Sequence, residues 1–394
     1  MEGSTLDQFQ SNFTFNTVPR IHFGNGRMSE IGTLEAAALG KRCMIITDVG
    51  IVATGIVDQA TFALSSCGIA YSVFDKVEAD PSEATVLAAV KECREADVDS
   101  VIGLGGGSSL DVAKLVAYLS GTDEQLDDIY GVGKATGQRL PLVLIPTTSG
   151  TGSEVTPIAI VTTTEQEKMG AVSPALLPDA AILDPQLTIG LPPAVTAATG
   201  IDAMVHAIEA YTSASSNNNP LSATLALEAL RLLGGSLLRA VTHGDDIEAR
   251  SRLLVGAMLA GQAFANSPVA AVHALAYPIG GHFKVPHGLS NALVLPHVLR
   301  FNAVEAPEAY AEMAPAAFPE LAAVPASARA AAFCDALTKL SKDCGLPQQL
   351  RDLGIGKDSL ARMAKDAMNQ SRLLVNNPRA VTQADALAIY EAAW

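Results

Sequence analysis

Basic charge, long apolar runs and cysteine are all scarce in this chain, and each shortage excludes something. Its 394 residues carry 26 lysines and arginines against 41 aspartates and glutamates, a formal net charge of −15. No basic cluster offsets that excess. Nucleic-acid binders hold phosphates with clustered Lys and Arg, so a nucleic-acid partner is excluded. No run of about 20 apolar residues escapes interruption by Pro, Gly or a charge, so no membrane span is expected. The N-terminal MEGSTLDQFQSNF has no basic region followed by an apolar stretch and does not read as a signal peptide. The cysteines, Cys43, Cys67, Cys93, Cys334 and Cys344, are scattered, odd in number and form no C-x-x-C pair. Reduced thiols in a cytoplasmic protein are expected.

What is present is an ordinary globular composition, with 49% apolar and 17% charged residues. The length suggests two domains or three. The first half alternates strand-like and helical segments. CMIITDVG, AYSVFDKV, SVIGLGGG and LPLVLIPTT are apolar runs. Between them lie ATGIVDQATFALSSCG, ending at Gly68, SEATVLAAVKECREA, with Ser82 as N-cap, and SLDVAKLVAYLS. Repeated β-α units predict a parallel sheet covered by helices. Beyond Asp184 strand-like runs nearly vanish, and Ala- and Leu-rich helical spacing takes over from Pro192 and Pro193. The reading is an α/β domain over 1–190 and an all-helical domain over 191–394. SASSNNNP reads as a polar loop.

Two loops point to a nucleotide. Gly105, Gly106 and Gly107, followed by Ser108, lie between a strand and a helix. Glycines let the backbone approach a diphosphate, and the helix start offers free N–H groups. The spacing is not the G-x-G-x-x-G fingerprint. PTTSGTGSEVT, after the next strand, adds hydroxyls and glycines. Asp48 closes the strand IITD, where a carboxylate can accept from a ribose 2′-OH and repel a 2′-phosphate. A helix cap or turn is its bland alternative.

The second half holds a candidate metal set. Asp202 and His206 stand four residues apart on one helical face of GIDAMVHAIEAY. His273 lies in a helical stretch, and His287 follows Pro286 at a helix start. One carboxylate and three imidazoles can surround a divalent ion and leave a position open. With seven histidines in the chain and wide separation between the two pairs, spacing alone leaves a chance set open.

In their order, GGGSSLDVAK, PTTSGTGSEVT, GIDAMVHAIEAY and the stretch from His273 to VPHG resemble the iron-containing (group III) alcohol dehydrogenase family. The likeness runs from FGNGRMSEIG to NNPRAVTQADALAIYEAAW, nearly the whole chain. It implies an α/β N-terminal dinucleotide-binding domain with a parallel sheet and an all-helical C-terminal metal-binding domain. It implies a homodimer or larger homo-oligomer acting on a small alcohol or aldehyde, with no nucleic-acid or membrane partner. Carried over by position, it puts metal ligands on Asp202, His206, His273 and His287. Cofactor contacts fall on Asp48, Gly105, Gly106, Gly107, Ser108, Asp111, Thr147, Thr148, Thr156, Lys168 and Leu187. NAD is expected over NADP, and Fe2+ as the metal, although an N3O set also suits Zn2+.

One position departs from the family. Where many members carry a second histidine four residues after the third ligand, this chain has Tyr277. Tyr277 is the candidate catalytic side chain, acting by shape and hydrogen bonding. The nearby His282 reads as non-catalytic. Maleylacetate reductases, which resemble this family and lack the intact ligand set, and glycerol dehydrogenases are the alternative enzymes. A non-catalytic NAD-binding protein is the remote one.

Overall fold

Apolar segments at the centre of the first half's sheet become parallel strands because both of their faces are buried. The computed structural model describes residues 12–163 and 168–394; residues 1–11, most of the stretch read for a signal peptide, and 164–167 lie outside the described residues. The strands are β1 (Ile21–Phe23), β2 (Arg42–Ile46), β3 (Ala70–Phe74), β4 (Ser100–Gly105), β5 (Gly131–Val132), β6 (Leu142–Pro146), β7 (Ile158–Thr162), β8 (Lys168–Val172) and β9 (Ala180–Leu183). Six of them form one sheet in the order β1-β9-β6-β4-β2-β3, and every pairing is parallel. Alternate residues feed two cores. Met44, Ile46, Leu142 and Leu144 face one, while Cys43, Ile45, Val143 and Ile145 face the other. Burial on both faces is why these strands read as continuous apolar runs rather than as alternation.

The helices of this unit are α1 (Ile31–Leu34), α2 (Ala36–Leu39), α3 (Val49–Ala53), α4 (Ile56–Ser66), α5 (Glu83–Glu95) and α6 (Gly107–Gly121). Ser82 caps α5 by accepting from Thr85 N at 3.3 Å, as its sequence position predicts. A smaller sheet, in the order β5-β8-β7 with β7 and β8 antiparallel, was not read from the sequence. Strand order reverses direction at β2, whose neighbours are β3 and β4. In open α/β sheets ligands bind beyond the carboxyl ends of the strands at such a point.

The second unit is helical: α7 (Pro193–Thr212), α8 (Pro220–Gly234), α9 (Leu237–Thr242), α10 (Ile247–Asn266), α11 (Ala271–Phe283), α12 (His287–Asn302), α13 (Pro307–Ala317), α14 (Ala326–Asp343), α15 (Leu360–Ala367), α16 (Ser371–Leu374) and α17 (Gln383–Ala393). Helix α7 packs against α8, α10 and α12, and α11 packs against α12. The centre of α7 is buried on all sides, from Gly200 to Ala210. That burial makes charged groups there unusual.

The compact units are Asn16–Gly190 and Leu191–Trp394, the latter joined by the segment just before Asn16. That segment differs from the sequence reading of 1–190 because Asn217 binds both sides of Thr14, accepting from its N at 2.9 Å and donating to its O at 3.0 Å. The SASSNNNP loop is thus more than a polar connection. Its Asn217 also donates to Asn266 O at 2.7 Å, and Asn219 caps α8. No disulfide forms among the described residues; Cys67 is exposed and the other four cysteines are buried. No single described helix is long and apolar enough to cross a membrane.

Candidate functional site

In the α/β unit, the loops after β2, β4 and β6 gather at one edge of the sheet. Asp48 follows β2 and is the N-cap of α3, accepting from Ile51 N at 3.1 Å. Its other oxygen accepts from Ser109 Oγ at 3.3 Å, which ties it to the glycine loop. The bland and functional readings of Asp48 are therefore compatible. Gly106 is the N-cap of α6 and brings no side-chain cap, so the first N–H groups of α6 face no capping side chain. The glycine at 107 is a packing necessity: a Cβ there would lie 2.7 Å from Thr151 Cγ2, so the two loops touch. Thr147 Oγ1 is buried without a hydrogen-bonding partner among the described residues. A buried hydroxyl left unpaired costs about 1–3 kcal/mol, and a polar ligand would relieve that. An uncapped helix start beside an unpaired hydroxyl suits a diphosphate cofactor.

The remaining cofactor candidates are engaged with the protein. Asp111 accepts from Ser153 Oγ at 2.6 Å and from Ile160 N at 3.0 Å, pinning the second loop and β7 to α6. Lys114, which sequence reasoning did not single out, is fully buried and donates to Ser153 Oγ, Thr156 Oγ1 and Ile158 O at 2.8, 3.2 and 2.6 Å. Burial lowers its pKa, against the pull of Asp111 and Glu154. Burial pushes Glu154 up to about 7. Lys168 pairs with Asp80 at 2.6 Å, and Leu187 is packed in the core with Ile45 and Ile102.

In the helical unit, Asp202, His206, His273 and His287 converge. One ligand atom from each lies within 4.8 Å of all the others. Ligand atoms about 2.0–2.2 Å from a shared ion must lie within roughly 4.4 Å of each other, so small side-chain shifts suffice. The His206 and His273 rings stack at 4.8 Å between centroids, and the His287 ring is 5.4 Å from that of His273. Phe264 stacks on His206 at 4.3 Å. Burial would raise the Asp202 pKa, but His206, His287, His273 and the Asn291 amide together bring it below the usual carboxylate value. One carboxylate and three imidazoles, all buried but the partly exposed His287, are a donor set that fits iron or zinc.

Three contributors were missed by the sequence reading. Asn291 is fully buried, and its Nδ2 lies 2.5 Å from Asp202 Oδ1, 3.2 Å from His287 Nε2 and 3.4 Å from His273 Nε2. Gly288 lets α12 approach α7, since a Cβ there would lie 2.5 Å from Ala198 O. Glu209 touches His273. Glu209 was legible as the next turn of the Asp202/His206 face, whereas Asn291 and Gly288 meet α7 only through tertiary packing. Tyr277 stands with its ring centroid 6.0 Å from that of His287. His282 pairs instead with Asp366 at 2.7 Å.

Comparison with known proteins covers both units. Residues 19–185 match the family described as iron-containing alcohol dehydrogenase, and residues 196–394 match the C-terminal part of the Fe-containing alcohol dehydrogenase family. The chain is 43% identical over 383 residues to long-chain-alcohol dehydrogenase 1 of Geobacillus thermodenitrificans (strain NG80-2), across 95% of each chain. It is 31% identical over 372 residues to the NAD-dependent methanol dehydrogenase of Bacillus methanolicus, covering 94% of this chain and 97% of the relative. Among solved structures, a 1,3-propanediol oxidoreductase aligns with a TM-score of 0.93 at 35% identity, covering 97% of this chain and all of the other.

Proposed function

Since the chain belongs to the iron-containing alcohol dehydrogenase family, we propose a working site for the activity that membership carries. The protein is a metal-dependent alcohol dehydrogenase, moving hydride between a small alcohol or aldehyde and NAD. Asp202, His206, His273 and His287 hold the metal. The observation that carries this reading is the convergence of their ligand atoms within 4.8 Å in a buried setting. When bound, the divalent ion supplies Lewis-acid polarisation of the alcohol oxygen and the nicotinamide supplies the redox chemistry. The chain supplies position and a largely buried setting. Asp202 brings a negative charge to the ion, and Phe264 shields the His206 ring.

The α/β unit is the NAD-binding domain. Asp48, Gly105, Gly106, Gly107, Ser108, Thr147 and Thr148 make the direct contacts. Asp111 and Thr156 hold the loop from behind, while Lys168 and Leu187 shape its surroundings. We also place the enzyme in the cytoplasm, as a homodimer or larger homo-oligomer with neither a membrane nor a nucleic-acid partner. The net charge of −15 and the absence of a basic cluster support the last of these; light scattering tests the oligomer.

The function is tested with purified protein, a panel of primary alcohols and NAD. NADH formation is expected, with loss on chelation and recovery with Fe2+ or Zn2+. A metal-loaded protein that forms no NADH with any alcohol overturns the reading.

Tyr277 stands beside the metal set, at the position where many family members carry a histidine. Its phenol can donate a hydrogen bond and fill space, and that is the role we assign it. Tyr277→Phe should change kcat/KM by about tenfold or less, the scale of one neutral hydrogen bond. Tyr277→Ala should widen the range of alcohols accepted. A loss near a thousandfold in Tyr277→Phe, with metal retained, would instead make the hydroxyl an essential proton-transfer group.

A further inference from the structure

We propose that Glu209 is a positioning residue of the metal site, which fixes the ring and the proton of His273 so that Nε2 is presented for ligation. This rests on the metal-site reading above. Asp202, His206 and Glu209 follow one another at i, i+4 and i+7 along α7, so a single helical face presents all three. Glu209 Oε2 lies 2.6 Å from His273 Nδ1, and both side chains are only 4% exposed. The other oxygen, Oε1, accepts from Val272 N at 2.6 Å.

Val272 lies in the first turn of α11, whose N-cap residue Ala270 offers no side-chain acceptor. Glu209 therefore meets the positive end of α11 with its carboxylate, an electrostatically favourable place. Both oxygens are thus committed to donors that belong to the helix bearing His273. A carboxylate has no proton to give, so Nδ1 must carry the hydrogen. The lone pair of the neutral ring is then on Nε2. Nε2 faces the ligand cluster, as its 3.4 Å distance from Asn291 Nδ2 shows. Without the carboxylate the ring is free to turn or to carry its proton on Nε2, where it cannot ligate. Carboxylate partners of ligating imidazoles also raise their basicity.

Glutamine is nearly isosteric with glutamate but has one acceptor oxygen where two donors need one each. In Glu209→Gln either Val272 N or His273 Nδ1 faces an NH2 group. A bland alternative is that Glu209 only caps α11, in which case its loss affects stability and not ligation.

The test measures metal affinity by chelator competition on the full chain, in a double-mutant cycle with His273→Ala. Glu209→Gln is expected to weaken metal binding about 10- to 100-fold. In the His273→Ala background the same change should cost less than about threefold, because its route to the metal is gone. The melting temperature of the metal-free proteins is followed in parallel, which separates a loss of stability from a loss of ligation. Unchanged metal affinity in Glu209→Gln, or an equal loss in both backgrounds, overturns the proposal. Should Glu209→Gln not fold, Glu209→Asp, one methylene too short to reach both donors, enters the same cycle with the same expected outcome. If His273→Ala itself leaves metal affinity unchanged, the metal-site reading fails, and the failure is recognisable as that one.

Discussion

His206→Ala and His287→Ala are each expected to lose bound metal and alcohol oxidation together. The two residues come from different helices, α7 and α12, yet their ligand atoms lie in one cluster within 4.8 Å. Removing one of four ligands leaves three, and the affinity of the remainder falls steeply. Lewis-acid polarisation contributes several kcal/mol to such a reaction. Its loss corresponds to a fall of about a thousandfold or more in kcat/KM. Metal content by elemental analysis should fall in step. Stability supplies an independent readout. A ligand that binds only the folded state stabilises it by mass action, so chelation should lower the melting temperature of the wild type and leave that of either variant nearly unchanged. Full activity with full metal content in both variants would dispose of the assignment.

Asp48→Gly should move cofactor preference from NAD towards NADP by about ten- to a hundredfold in the ratio of kcat/KM values. The carboxylate is tied to the glycine loop through Ser109 and stands after β2, at the point where strand order reverses. There a carboxylate would repel a 2′-phosphate and accept from a ribose hydroxyl. A ten- to hundredfold ratio corresponds to about 1.4–2.8 kcal/mol, in keeping with like charges a few ångströms apart near a protein surface. Glycine is the right replacement because Asp48 also caps α3, and glycine is a tolerated N-cap that costs only a few tenths of a kcal/mol relative to Asp. A cap-only role would change stability slightly and leave the cofactor ratio alone. A wild type that already prefers NADP contradicts the claim.

Much of the α/β unit was legible because its signals are local. Apolar runs bounded by glycine or proline, the cap at Ser82 and the glycine cluster before α6 each depend on residues near in sequence. The small sheet of β5, β7 and β8 was not legible: β5 is two residues long, and its pairing with β8 is set by the surrounding chain. The cofactor candidates show the same divide. A resemblance carries Asp111, Lys168 and Leu187 over as contacts, whereas the structure shows what each already touches: Ser153 and Ile160, Asp80, and the core.

From the sequence alone came the alternation of strands and helices in the first half, the change from α/β to helical character after Asp184, the family likeness and the identity of four candidate ligands. The first two rest on periodicity, and the pairing of Asp202 with His206 rests on helical spacing. Only tertiary structure decided that His273 and His287 join that pair. It brought in Asn291, 89 residues from Asp202 in the chain, as a donor to its carboxylate. It also turned His273 with Nδ1 against Glu209. These contacts arise where α12 packs on α7, at a closeness that Gly288 permits, and α11 packs on α12. Sequence spacing cannot encode them, because packing, and no local turn, sets the distance between side chains on separate helices.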